Sequence, residues 1–311
     1  MSILSLQDVV KQYHNHTAVD HISFDVPKGS IFGLLGPNGA GKTSLIRIIT
    51  TITMADSGEV RLDGEKLNFD HPSQIGYMPE ERGLYKKMKV GEQLIYLAQL
   101  KGMASKEARR KLKAWMDKFG ILDWWDKKVE ELSKGMQQKI QFIATVVHEP
   151  KLLILDEPFS GLDPINTNLI KEEIDQLNRN GTSIIFSTHR MEQVEEICEY
   201  IVLINNGQKI LEGKVRDIKE DFKEHKYRIG FNGRLKPGFK SDKFRVVEDS
   251  DDELIIKVLN EVNPNYLLKE LLNSGIEIKS YNEVLPSLNE IFIRKVEGNE
   301  GINDFSKTAA S

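Results

Sequence analysis

A glycine-rich segment near the start of the chain has the pattern of a phosphate-binding loop. In order, its residues are Gly36, Pro37, Asn38, Gly39, Ala40, Gly41, Lys42, Thr43 and Ser44, and the first eight match G-x-x-x-x-G-K-[ST]. An apolar run at 30–35 precedes the loop and a helical pattern at 44–49 follows it, which is the order of elements that such a loop requires. Glycines let backbone N–H groups face phosphate oxygens, Lys42 can reach the β- and γ-phosphates, and the Thr43 hydroxyl can bind Mg²⁺. The segment therefore predicts a nucleotide site.

Two acidic residues, Asp156 and Glu157, end a second apolar run at 152–155. Ligands of open α/β sheets bind at the carboxyl ends of the strands, so both side chains are expected near the nucleotide. Asp156 is then predicted to join the Mg²⁺ shell, and Glu157 to orient the water that attacks the γ-phosphate. An Asp-Glu pair at a strand end is weak evidence by itself, because it is often a solvated turn. Together with the phosphate loop it strongly favours the catalytic interpretation.

Four further segments complete an ordered set of six motifs across residues 13–189. They are Tyr13, the run Leu132-Ser133-Lys134-Gly135-Met136, the run Ser160-Gly161-Leu162-Asp163, and His189 after Ser187 and Thr188. With this set the sequence resembles the ATP-binding-cassette (ABC) ATPases. The resemblance implies that Tyr13 stacks on adenine, that Ser133 and Gly135 of the signature contact the γ-phosphate, that Asp163 belongs to the D-loop, and that His189 is the switch histidine. For Tyr13 the alternative is an exposed tyrosine at a strand end.

The sequence departs from the family pattern at three positions. The signature carries Lys134 and Met136 where the family usually has glycine and glutamine, and Glu80 occupies the position of the Q-loop glutamine. A carboxylate at position 80 is predicted to reach Mg²⁺ or its water and to add negative charge beside Asp156, the alternative being a solvated loop acid. Residues 79–85 resemble a subset of prokaryotic drug- or ion-export ATPases that carry a C-terminal accessory domain.

The sequence pattern predicts an α/β fold followed by a small α+β domain, and the resemblance implies that the α/β part is a P-loop NTPase ABC cassette. Short alternating segments at 3–26 predict an antiparallel β-subdomain, and buried apolar runs predict parallel strands, which the resemblance implies form a RecA-like core. A stripe formed by Leu112, Trp115, Met116 and Phe119 predicts a helical subdomain within 90–147. In the accessory domain, strands are predicted near 226–231, 244–247, 253–258 and 276–278, and helices near 265–273 and 285–294. The predicted domains are residues 1–214 and 215–297, with a disordered tail at 298–311.

Composition excludes several other classes of protein. The 311 residues include 40% hydrophobic and 29% charged residues, which is typical of a globular protein. With 43 basic and 47 acidic residues the net charge is −4 at pH 7, so no global field favours nucleic acid, and no nucleic-acid partner is expected. The single cysteine, Cys198, excludes an intrachain disulfide. No apolar run is long enough to cross a membrane, and the first residues lack a signal-peptide pattern, so a cytoplasmic location without direct membrane insertion is expected.

The resemblance also implies partners. In the family, ATP is clamped between Lys42 of one subunit and Ser133 of a second, head-to-tail subunit, so a homodimer with two complete sites is expected, and pairing with a degenerate ATPase stays open.

The favoured function is that of an ATPase subunit with ATP and Mg²⁺ as cofactors, which powers export by a separate transmembrane permease at the inner face of the cell membrane. The alternative is an ABC-type ATPase that drives a non-transport process, such as a soluble regulatory or translation-associated complex. For the accessory domain three roles stay open: biasing the dimer, docking a partner, or covering exposed surface.

Overall fold

The computed structural model describes residues 1–81, 83–233, 242–259 and 263–297. The chain divides into two compact units, Met1–Lys214 and Val215–Ser311. Among the described residues, no helix has both the length and the apolar character needed to cross a membrane. The tail predicted at 298–311 lies outside the described residues.

The described part of the first unit alternates between strands and helices. In chain order these are β1 (Ser2–Tyr13), β2 (His16–Pro27), β3 (Ile31–Leu35), α1 (Lys42–Ile49), β4 (Ser57–Leu62), β5 (Glu65–Lys66), β6 (Ile75–Met78), α2 (Val90–Leu100), α3 (Ser105–Lys118), α4 (Lys134–Val146), β7 (Leu152–Asp156), α5 (Pro164–Arg179), β8 (Ser183–Thr188), α6 (Met191–Ile197), β9 (Tyr200–Asn205) and β10 (Gln208–Lys214). Short 3₁₀ turns span His71–Gln74, Leu122–Trp124 and Val129–Glu131.

A six-stranded sheet with the order β10-β9-β3-β8-β7-β6 forms the centre of this unit. Every neighbouring pair from β9 to β6 is parallel, and β10 runs antiparallel to β9. Strands β3, β7 and β8 are buried along their whole length, which explains the apolar run that each contains. Because β3, β8, β7 and β6 are neighbours and point the same way, the loops that follow them lie along one edge of the sheet.

A second, antiparallel sheet has the order β2-β1-β4-β5. The antiparallel pair predicted at 3–26 is therefore present as β1 and β2, and the sheet also contains β4 and β5, which the sequence pattern did not predict. Apolar residues on its inner face pack onto the central sheet, as where Phe24 stacks on Phe32 with ring centroids 5.5 Å apart. Tyr13 and His16 are cross-strand partners at the β1–β2 turn of this sheet.

The predicted helical part of the first unit consists of α2, α3 and α4. Leu112, Met116 and Phe119 are buried, as the stripe on α3 predicted. The Trp115 ring lies edge-on to Phe142 of α4, with centroids 6.4 Å apart. The aromatic stripe is thus part of a hydrophobic core.

The described part of the second unit contains α7 (Val215–Asp221), β11 (Lys226–Asn232), β12 (Phe244–Asp249), β13 (Glu253–Val258), α8 (Pro264–Asn273), β14 (Glu277–Val284) and α9 (Leu288–Glu297). Its antiparallel sheet has the order β12-β13-β11-β14, and its core includes Leu267 and Leu271 of α8. The last strand is longer than the sequence predicted, and the last helix begins later. The helix begins after Ser287 because that residue and Glu290 form a capping pair, with Ser287 N donating to Glu290 Oε2 at 2.7 Å and Glu290 N to Ser287 Oγ at 3.2 Å.

Candidate nucleotide site

A cavity of about 280 Å³ brings together most of the residues that the sequence motifs predicted. Its lining consists of Tyr13, His16, Ala18, Asn38, Gly39, Ala40, Gly41, Lys42, Thr43, Ser44, Glu80, Asp156 and Glu157. The cavity therefore joins the β1–β2 turn, the loop between β3 and α1, and the segments that follow β6 and β7. Gly36 and Pro37 belong to the same loop but are not among the lining residues.

Close packing at two glycines fixes the course of the phosphate loop. Gly36 and Gly41 have φ angles of 151° and 106°, in a region that favours glycine. A Cβ atom at Gly36 would lie 2.2 Å from the Ile204 carbonyl oxygen, and one at Gly41 would lie 2.2 Å from the Ala18 carbonyl oxygen. The loop is thus held between β2 and β9, and a side chain at either position would push it out of place.

Lys42, the first residue of α1, is buried beneath this loop. Its Nζ donates to the carbonyl oxygens of Gly36 at 2.7 Å and Pro37 at 3.0 Å. Burial lowers the pKa of Lys42, and Asp156 and the two other carboxylates of the cavity partly oppose that effect. Lys42 therefore places its Nζ beneath the phosphate loop in a cavity that is also lined by three carboxylates.

Asp156 ends β7 opposite Ser187 of β8, with which it is paired in register. The Ser187 hydroxyl donates to Asp156 Oδ1 at 2.7 Å. Burial raises the pKa of Asp156, the hydrogen bond from Ser187 acts in the opposite direction, and the neighbouring carboxylates of Glu157 and Glu80 raise it further. A cation bound in the cavity would relieve this accumulation of negative charge.

The carboxylate of Glu157 is held by the end of β8. Its Oε1 accepts from the His189 backbone N–H at 2.9 Å and lies 2.6 Å from His189 Nδ1, while Oε2 accepts from Thr188 Oγ1 at 3.1 Å. The residue is buried and has a φ of 50°, a left-handed conformation that costs a non-glycine residue about 1–2 kcal/mol. The hydrogen bonds from β8, together with that from Glu157 N to the Ser187 carbonyl at 2.9 Å, hold the glutamate in this conformation.

Two buried glutamines of α4, which the sequence analysis did not select, connect that helix to the site. Gln138 Nε2 donates to the Pro158 carbonyl at 2.9 Å, and Gln141 Nε2 donates to the Pro79 carbonyl at 2.8 Å. These bonds tie α4 to the residues that flank Glu157 and Glu80. Their only signal in the sequence is a pair of polar residues on a helix face that is otherwise apolar, which is weak evidence for a role at a site.

His16 is a further lining residue that the sequence analysis missed. It is the cross-strand partner of Tyr13 at the turn between β1 and β2, and both side chains border the cavity. The Tyr13 side chain is partly exposed, and Lys11 Nζ lies 5.5 Å from its ring centroid. Only the pairing of β1 with β2 identifies His16 as a neighbour of Tyr13.

Besides Gly36 and Pro37, four predicted residues are not among those that line this cavity: His189, which contacts Glu157, and Ser133, Gly135 and Asp163. Ser133 caps α4, its Oγ accepting from Met136 N at 3.3 Å, and Asp163 caps α5, its Oδ1 accepting from Asn166 N at 2.9 Å. A Cβ atom at Gly135 would lie 3.4 Å from the Gly161 carbonyl oxygen, so the signature and the D-loop are in contact with each other. The structure thus groups the predicted residues into two sets, one around the phosphate loop and one at the start of α4 and α5.

The donor set of the cavity suits Mg²⁺ bound together with phosphate. Among the described residues, no group of three or more His, Cys, Asp or Glu side chains is arranged to hold a metal by itself. Thr43, Asp156 and Glu80 line the same cavity with oxygen donors. Mg²⁺ commonly takes one or two protein ligands and completes its shell with phosphate oxygens and water, so these residues fit that ion.

Comparison with known families gives two matches along the chain. Residues 19–160 match the family model described as ABC transporter. Residues 213–296 match the model described as ATP-binding protein DrrA1-3-like, C-terminal domain. The accessory domain inferred from the sequence therefore has relatives of its own.

Similar proteins cover most of the chain. The uncharacterized ABC transporter ATP-binding protein YhaQ of Bacillus subtilis (strain 168) is 43% identical over 294 residues, which is 94% of this chain and 98% of YhaQ. Nod factor export ATP-binding protein I of Ralstonia nicotianae is 34% identical over 219 residues, 70% of this chain and 68% of that protein. A solved ATP binding subunit of an ABC transporter aligns with 71% of this chain and 93% of its own, with a TM-score of 0.67 and 29% identity. These matches confirm the predicted family and fold, and the chain belongs to the ATP-binding proteins of ABC transporters.

Proposed function

We propose that this chain binds and hydrolyses ATP to power export through a permease whose membrane-spanning helices lie on a separate chain. The observation that carries the proposal is the cavity itself, where the phosphate loop, Asp156 and a hydrogen-bonded Glu157 meet. The similar Nod factor protein is named for export, which supports the proposed direction of transport. The cargo is chosen by the permease.

In the proposed complex the phosphate loop and Lys42 hold the phosphates of ATP, and Tyr13 stacks on the adenine. Stacking tolerates any purine because each presents a π face. His16, beside Tyr13 at the rim of the cavity, is placed to contact the base or ribose. The loop supplies the backbone N–H groups at the N-terminus of α1, where anionic phosphate is favoured.

Hydrolysis produces ADP and phosphate from ATP and water. Glu157 orients the water for attack on the γ-phosphate, and His189 and Thr188 hold the carboxylate of Glu157 in place. Lys42 stabilises the charge on the transferring group. Mg²⁺, held through Thr43 and Asp156 with Glu80 beside them, would neutralise charge on the phosphate oxygens.

Two chains are needed for a complete site in this proposal. Ser133, Gly135 and Asp163 lie outside the cavity of their own chain, so they would act on the nucleotide of a second subunit. Since the chain has both Glu157 and His189, a homodimer would contain two complete sites. A degenerate ATPase partner would leave one site complete, and the number of ATP molecules hydrolysed per dimer distinguishes the two assemblies.

The role in transport is tested by purifying the tagged full-length chain from detergent-solubilised membranes of its source cells. We expect a polytopic permease to co-purify with it in constant ratio and to change its ATPase rate. An identical tag on an unrelated protein gives the control. Ribosomal or other soluble proteins as the stoichiometric partners, with no permease, would favour the non-transport alternative.

A second experiment tests the role proposed for Glu80. An anionic side chain near Mg²⁺ gains more from the ion than a neutral amide does, so Glu80→Gln should raise the Mg²⁺ concentration that gives half-maximal ATPase activity several-fold. The matched control is Glu81→Gln, which removes the same charge from an exposed neighbour that does not line the cavity. Superimposable Mg²⁺ titrations for all three proteins would instead favour a solvated loop acid at position 80.

A further inference from the structure

Positive charge is concentrated in one part of the chain. Residues 86–128 contain twelve of the 43 lysines and arginines but only five of the 47 acidic residues. This segment therefore has a net charge of +7, and the remainder of the chain has −11. Such a separation gives the helical part of the first unit a local field of the opposite sign to that of the whole protein.

Much of this charge lies along one side of α3. Lys106, Arg109, Arg110 and Lys113 have the spacing i, i+3, i+4 and i+7, so they form a single row, called here the α3 stripe. All four are exposed, and within the described residues none of them forms an ion pair with an acid. Lys111 on the same helix, by contrast, pairs with Glu149 at 2.9 Å. The stripe is therefore an uncompensated row of charge.

Trp125 supports two members of the stripe. The guanidinium carbon of Arg109 lies 5.6 Å from its ring centroid, and Lys113 Nζ lies 5.5 Å from it. The half-buried ring packs closely on Gly91, where an added Cβ would lie 2.3 Å from it. A fixed aromatic surface thus holds the two cations in place and reduces the side-chain entropy that they would lose on binding.

A second group of lysines adjoins Trp125. Lys89 and Lys128 face each other across a backbone bridge, and Val90 N donates to the Lys127 carbonyl at 2.9 Å. The neighbouring lysines at 86 and 87 are exposed and have no ion-pair partner in the part of the chain that the structure describes. Lys89, Lys127 and Lys128 pair with Asp126, Asp123 and Glu130, so the uncompensated charge beyond α3 is that of lysines 86 and 87.

We propose that the α3 stripe binds anionic phospholipid headgroups of the membrane in which the permease lies. The inference rests on the proposed function, which brings the chain to a membrane surface. Since the whole chain is acidic, an anionic surface would repel it unless a local basic surface faced the lipid. Basic side chains within a Debye length of such a surface are attracted to it, and tryptophan is enriched at membrane interfaces.

Vesicle cosedimentation of the full-length chain tests this proposal. The probes are vesicles of phosphatidylcholine alone and vesicles that also contain phosphatidylglycerol. We expect binding to the anionic vesicles alone, weakening as salt is added. Each basic residue near an anionic surface contributes about fivefold to binding, so changing all four stripe residues to glutamine should weaken it by more than about 100-fold. Basal ATPase activity should not change, because the stripe lies outside the nucleotide cavity.

A second quadruple variant controls for net charge. It changes Lys66, Arg179, Lys269 and Lys279 to glutamine, four exposed cations outside the stripe, and should bind anionic vesicles almost as well as the native chain. A double variant, Lys106→Gln with Arg110→Gln, replaces the quadruple stripe variant if that protein does not fold. It leaves the contacts with Trp125 intact and should bind anionic vesicles about 25-fold more weakly than the native chain.

Three results would overturn the proposal. The native chain could show no preference for anionic vesicles, or the two quadruple variants could lose binding equally. The native chain could also bind duplex DNA more tightly than the vesicles and lose that binding with the stripe, which would make the surface a nucleic-acid site. ATPase activity and permease capture are measured separately, so failure here leaves the proposed function standing.

Discussion

Glu157→Gln should lower the ATPase rate by a factor of about 100 to 10,000, the range that a positioned general base commonly contributes. The amide keeps the shape of the side chain and can still interact with Thr188, but it is a far weaker acceptor for the proton of the attacking water. ATP binding should be retained, because the phosphate loop and Lys42 are unchanged. The variant should therefore accumulate with ATP bound.

Gel filtration with and without ATP measures the second consequence of this change. If hydrolysis is what releases the two subunits, Glu157→Gln should elute as a dimer in ATP and as a monomer without it, whereas the native chain should return to the monomer as ATP is consumed. Glu192→Gln, which removes an exposed acid outside the cavity, should behave as the native chain does. Undiminished turnover in Glu157→Gln would exclude the residue from catalysis.

Removal of His189 tests how the carboxylate is positioned. His189→Ala loses the Nδ1 contact with Glu157 but keeps the backbone N–H donor, and Thr188 still binds the other oxygen. Its effect on the rate is therefore expected to be smaller than that of Glu157→Gln. A larger loss of rate in Glu157→Gln than in His189→Ala would show that Glu157 acts on the attacking water and that His189 positions the Glu157 carboxylate.

The parts of the fold that the sequence predicted are those whose signals are local. Strands β3, β7 and β8 are buried on both faces, so each contains an apolar run, and each is followed by a motif. The phosphate loop contains its own glycines, its lysine and the start of its helix. Strands β4 and β5 gave no comparable signal, because β5 has two exposed residues and β4 has only Val60 and Leu62 buried.

The parts of the site that the sequence did not predict depend on which strands are neighbours. The hydrogen bond between Asp156 and Ser187, and those between Glu157 and Thr188, exist because β7 lies next to β8. No spacing along the chain contains that information. The hydrogen bond from Gln141 to the Pro79 carbonyl is likewise invisible in the sequence, because the two residues are 62 positions apart.

Lys42→Met should weaken ATP binding by about 100-fold, since a charge-assisted hydrogen bond contributes about 1.5–3 kcal/mol and the loss also leaves the carboxylates of the cavity without a counter-charge. Lys42 is the one lysine or arginine among the described residues that line the cavity. Without it, Asp156, Glu157 and Glu80 would face the phosphates of ATP directly. The Met side chain keeps the length of the stem, so the change removes charge rather than packing.

Thermal unfolding with added ATP gives a direct measure of this loss. At an ATP concentration 100 times the native dissociation constant, binding stabilises the native chain by about 2.7 kcal/mol, and a 100-fold weaker variant would gain only about 0.4 kcal/mol. Lys42→Arg should not restore the effect, because the rigid guanidinium cannot take the place of Nζ, which lies 2.7 Å from the Gly36 carbonyl and 3.0 Å from that of Pro37. Lys28→Met, at an exposed lysine paired with Asp63, is the matched control and should keep the full shift. An equal ATP-induced shift in Lys42→Met and the native chain would show that this lysine does not hold the phosphates.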